Sequence, residues 1–100
     1  MEAELKDLIS ALEAAGEVDH SGAIQAALAS ERDIQTIVLS NDIWGGAGSI
    51  ADQAGFASSS KGARSAIEKA LIALGRRQIE EGVVNQRTEL WVSAFEKMHA

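Results

Sequence analysis

Asp42 and Asp52 bracket the one stretch of this chain whose residue types could do chemistry, Ser-Asn-Asp-Ile-Trp-Gly-Gly-Ala-Gly-Ser-Ile-Ala-Asp over residues 40–52. Two carboxylates close together can act as general acid and base. The free N–H groups of a helix opening near Ser49 can hold an anion. Gly45, Gly46 and Gly48 give a backbone that accepts positive φ or close approach. Trp44 beside them is a residue type enriched at interface hot spots. Two carboxylates near a loop are common without chemistry, and the spacing argues against a phosphate cradle. A P-loop needs a lysine after its last glycine, and none follows here. A dinucleotide fingerprint needs a preceding strand, and no alternating apolar pattern precedes Ser40. Asp42 and Asp52 would also repel a phosphate at this turn.

Other catalytic constellations are missing. His20 falls in an expected loop and His99 next to the C-terminal residue, neither within His-Glu-x-x-His or similar ligand spacing. The chain has no cysteine, hence no disulfide and no thiolate metal site. The expectation is a chain with no catalytic residue, no metal ligands and no cofactor. Recognition is what remains. Asp42, Trp44, Gly45, Gly46, Gly48, Ser49 and Asp52 are the candidate contacts to a protein partner. A structural alternative stays open beside it, in which Trp44 plugs the core, the glycines make the turn, and Ser49 with Asp52 only caps a helix.

Charge narrows the partner. The net charge is −6, and an acidic chain repels phosphate backbones, which disfavours nucleic acid. Residues 1–20 hold six acids against Lys6, whereas residues 61–87 hold six bases against three acids. Glu13, Glu17 and Asp19 therefore join the candidate contacts as an acidic face that could steer a basic partner. Arg76 and Arg77 have Glu80 and Glu81 at i+4, the spacing of helix-surface pairs. No apolar run approaches a membrane span and no signal-like segment follows Met-Glu-Ala-Glu, so the expected location is cytoplasmic.

The elements that must position these residues read as helices. One hundred residues, 46% of them hydrophobic, make one domain, residues 1–100. Leu5, Leu8, Ile9, Leu12 and Ala15 share one helical face, with Gly16 as the stop. After a link at 17–20, Ser21 is placed to cap a second helix carrying Ile24, Ala27 and Leu28. Ser30 with Asp33 opens a third with Ile34, Ile37 and Val38, or the two form one bent helix. Ser49 with Asp52 opens a short helix stopped by Gly55, and Ser58–Ser60 cap the longest, about 61–81. Its expected face is Ala63, Ala66, Ile67, Ala70, Leu71 and Leu74, widened by Ile72 and Ile79, with Gly75 costing about 1 kcal/mol relative to alanine unless a neighbouring helix needs the close approach. A last helix, about 84–98, should bury Trp91, Ala94, Phe95 and Met98. The fold class is all-α, a compact bundle of four or five helices with a glycine-rich central loop.

The run Trp44-Gly-Gly-Ala-Gly-Ser-Ile-Ala-Asp52 resembles the motif of a family of small, functionally uncharacterised bacterial helical proteins. These carry aromatic-Gly-Gly-x-Gly-Ser-aromatic/aliphatic-x-Asp mid-chain, followed by a long helix. Ile50 stands where that motif has a bulkier aromatic, and Ala51 where it has Asn. The resemblance implies a helical fold and a bacterial origin, and no reaction. In general build the chain is also similar to immunity proteins that neutralise antibacterial toxins. The expected function is thus a non-catalytic immunity- or antitoxin-type protein, occluding the active site of a basic bacterial toxin domain. The alternatives are a subunit that self-associates through alanine-rich faces, and small-ligand binding at the Gly45–Gly48 turn.

Overall fold

The computed structural model describes residues 1–54 and 61–99. Five helices of two or more turns are present among them: α1 (Glu2–Ala14), α2 (Val18–Ala27), α3 (Glu31–Leu39), α6 (Lys61–Glu81) and α7 (Thr88–Met98). Two single turns, α4 (Asn41–Trp44) and α5 (Ile50–Gln53), lie between α3 and α6. There is no strand among the described residues. No helix among them is long and apolar enough to cross a membrane.

The leucine face of α1 packs on both α2 and α6, and α7 packs on α6. Leu5, Leu8, Leu12, Ile24, Leu71 and Leu74 meet there, all but withdrawn from solvent. Helix α1 ends as its glycine predicts. The Gly16 N–H donates to the Glu13 carbonyl and the Glu17 N–H to the Leu12 carbonyl, at 3.0 and 2.9 Å, which satisfies two of the last carbonyls. Helix α6 closes the same way at Gly82 and Val83.

Several boundaries and faces differ from the sequence reading. Helix α2 starts at Val18, so Ser21 lies inside it, and its buried hydroxyl donates to the Val18 carbonyl instead of capping. Helices α2 and α3 are separate, because Ser30 is extended and accepts the Asp33 N–H at 3.1 Å, starting a new helix. On α6 the expected Ile67, Ala70, Leu71 and Leu74 are buried, and the face differs at its edges. Ala66 and Ile79 are exposed, while Glu68, Gly75 and Gln78 are buried beside Ile67, Leu71 and Leu74. Helix α7 starts four residues later than 84, because Thr88 Oγ1 accepts the Asn85 N–H and makes residues 85–88 a turn. It buries Thr88, Val92 and Phe95, and leaves Ala94 and Met98 exposed and Trp91 half-buried. Arg77 pairs with Glu81 as expected, but Arg76 reaches Glu96 on α7 rather than Glu80. The expected stop at Gly55 and caps at Ser58–Ser60 lie outside the described residues.

Candidate functional site

Ser40 ends α3 in an extended conformation, and its hydroxyl accepts the Asp42 N–H at 3.2 Å, so the chain turns immediately into α4. That single turn delivers Ile43 and Trp44 into the core. Trp44 is fully buried, its indole N–H donates to Gln78 Oε1 at 2.8 Å, and its carbonyl accepts the Trp91 indole N–H at 3.1 Å. Trp44 as a surface contact is therefore corrected. A large apolar ring with its one polar atom satisfied inside the protein gains more from the core than from water.

The glycines follow from the same geometry. A methyl group at Gly45 would strike the Asn41 backbone, lying 2.9 Å from its Cα. Gly48 has φ +89°, where a side chain is strained. Ser49 is buried, and its hydroxyl donates to the Gly45 carbonyl at 2.9 Å and accepts the Asp52 N–H at 3.0 Å. Asp52 in turn accepts the Gly48 N–H at 3.2 Å, which holds the turn closed. Gly45 and Ser49 thus belong to the scaffold too, and the expectation that they touch a partner is corrected. Asp42 and Gly48 remain exposed, Gly46 and Asp52 partly so.

Beside the turn lies a cleft of about 380 Å³ between α2, α3, α4 and α5. Ile24, Ile37 and Ile50 form its apolar floor, and His20, Asn41 and Asp42 stand among its walls. A second groove of about 290 Å³ continues from it along α2 and α3, sharing Ala23, Ile37 and Asp42. Its other walls include Ala26, Ala27, Asp33 and Thr36. The concavity has a simple cause: α2 turns small side chains toward α3, and short side chains leave the gap open.

Asp42 lines the cleft but Asp52 does not, so the two do not form one acid–base pair around it. Glu13 and Asp19 are exposed and Glu17 half-buried at the junction of α1 and α2, off the cleft wall. The residues missed from sequence are His20, Asn41 and Asp33. His20 is helical rather than in a loop, and its Nε2 lies 3.2 Å from Gln53 Oε1, joining α2 to α5. The available signal was its i,i+4 spacing to Ile24, hidden by the late start assigned to α2.

Glu68 is buried on α6, 2.9 Å from His99 Nε2. Among the described residues no three His, Cys, Asp or Glu side chains converge to hold a metal. Compared with known proteins, the chain matches no family model, no curated protein and no solved structure.

Proposed function

We propose that this chain is a non-catalytic protein-binding module of the immunity or antitoxin type, which neutralises a basic bacterial toxin domain by covering its active site. The observation that carries the reading is a block of uncompensated charge. Residues 7–54 hold eight carboxylates and a single cation, Arg32. None of those eight is in an ion pair among the described residues. Arg87 reaches the turn at Gly46 but pairs with none of the eight, and like charges left unpaired along α1 to α5 repel one another, so that a partner of opposite sign relieves that repulsion while gaining a faster encounter. The candidate contacts are Asp42 and Gly48 at the turn, with Glu13, Glu17 and Asp19 on the flank.

The test is affinity capture of the tagged chain from its host, with mass spectrometry of what co-elutes near one-to-one. A basic domain that is toxic when expressed alone, and harmless when co-expressed with this chain, supports the reading. Bare recovery from cells shown to make their toxins removes it.

A second reading is self-association, favoured by α7. Leu90 and Met98 are 68% and 64% exposed there, with Ala94 between them on an i,i+4 ridge. Sedimentation that shifts with concentration, and loses the shift in Leu90→Ser, supports this reading instead.

A further inference from the structure

We infer that the groove along α2 and α3 is the recognition element itself, and that its occupant is a short amphipathic helix of the partner bearing lysine or arginine beside its apolar face. This rests on the protein-binding reading above and specifies the partner chemistry. Two neighbouring α-helices with small residues between them offer a trough into which a third helix can lay a side-chain ridge. Here the trough is lined by Ala23, Ala26, Ala27 and Ile37, and opens at one end into the cleft over Ile24 and Ile50.

The charge identifies the occupant. Asp33 and Asp42 stand on the groove wall, both are exposed, and neither has an ion-pair partner among the described residues. Arg32, the one cation of this part of the chain, is not among the residues lining the groove. The carboxylates cap no cation of their own, so a lysine or arginine on the incoming helix is the complement they lack. The apolar lining then supplies the area that a charge contact alone does not. The length fits as well: the α2 residues from His20 to Ala27 span about 10 Å, two turns, which accommodates anchors at i, i+3 or i+4, and i+7.

The experiment is a titration of the ¹⁵N-labelled full chain with synthetic peptides, followed by amide chemical shifts. The probe is an amphipathic leucine–lysine peptide of about four helical turns. Its comparisons are a leucine–glutamate analogue and a glycine–serine–lysine peptide of equal charge. The expected result is saturable binding of the first peptide only, with shifts clustered at Ala23, Ala26, Ile37, Asp42 and Gly48. Asp33→Asn with Asp42→Asn weakens it by about tenfold or more, and so does Ala26→Gln, which fills the groove without adding charge. Ala26 and both aspartates are exposed, and unchanged dispersion of the remaining amides checks that the variants fold.

Equal binding of the non-amphipathic lysine peptide overturns the inference, as do shifts centred on Glu2 and Glu13 or no saturation at all. The two readings fail separately. A toxin captured by a chain whose groove stays silent keeps the immunity reading and removes the groove. A groove that binds the peptide in a chain that neutralises nothing does the reverse.

Discussion

Trp44 and Gln78, 34 residues apart, are joined by a 2.8 Å hydrogen bond between two fully buried side chains. The Gln78 amide also donates to the carbonyls of Val38 and Val83, each at 3.0 Å. One side chain on α6 therefore satisfies the indole that anchors the glycine turn, the end of α3 and the cap of α6. No buried side-chain polar atom is left without a partner among the described residues.

Replacing Gln78 tests how much this junction matters. Gln78→Leu keeps the volume but strands the indole N–H and two carbonyls, at a cost of about 2–4 kcal/mol. Gln78→Glu gives a pH signature. A buried glutamate has its folded pKa raised above the unfolded value of about 4.3, because burial disfavours the charged form. A neutral acid can still donate to one carbonyl. The variant is therefore nearest to wild type below pH 4 and loses stability as pH rises from there towards its folded pKa. Urea melts of both proteins from pH 4 to 8 measure the gap. A gap that narrows as pH rises would contradict the assignment.

Gly75 shows why a glycine sits inside the longest helix. A methyl group there would overlap Val92 Cγ2 and lie 3.1 Å from Trp44 Cη2. Gly75→Ala gains about 1 kcal/mol in helix propensity but overpacks the α6–α7 contact, costing about 1–3 kcal/mol. The net expectation is a loss. Adding Val92→Ala to Gly75→Ala should cost less than Val92→Ala costs in the wild type, a coupling of about 0.5 kcal/mol or more in a double-mutant cycle. Strict additivity would mean that α7 has room to move away.

These relationships mark how far the sequence could be read. The face of α1 and the C-terminal end of α6 were legible because leucine periodicity and the terminal glycines Gly16 and Gly82 act locally. The extension of the α6 face to Gln78 was not, since Gln78 counts as polar in any pattern and is buried only because Trp44, Val38 and Val83 complete its hydrogen bonds. Helix α7 was misread for the same reason: Thr88 is buried by its bond to the Asn85 N–H, whereas Met98 is 64% exposed. The direction of Trp44 depended on partners 34 and 47 residues away. The acidic block was visible as composition. The groove was not, because it is made by what Ala23 and Ala26 leave unfilled.

Ser49 carries a second, independent test of the turn. Ser49→Ala removes both the acceptor for the Asp52 N–H and the donor to the Gly45 carbonyl, and should cost about 1–2 kcal/mol. Asp52→Ala loses a single, longer bond to the Gly48 N–H on a partly exposed side chain and should cost about 1 kcal/mol or less. Thermal melts in one buffer rank the two. The reverse order would place the hold of the turn on the carboxylate rather than on the buried hydroxyl.

The acidic block makes a prediction in which binding and stability separate. Asp19, Asp33 and Asp42 are exposed and unpaired among the described residues, so replacing all three by asparagine removes mutual repulsion and no cationic partner. Each also lies in the first turn of its helix, where the dipole favours its charge, so folding stability should stay level or fall by about 1 kcal/mol. Association with a basic partner captured from the host should slow several-fold at low salt. The difference should shrink as the Debye length falls from about 30 Å at 0.01 M to about 8 Å at physiological ionic strength. Stopped-flow association across that salt range decides the matter. Equal on-rates at low salt would mean that these carboxylates face away from the approaching partner, and would move the docking surface off α2 and α3.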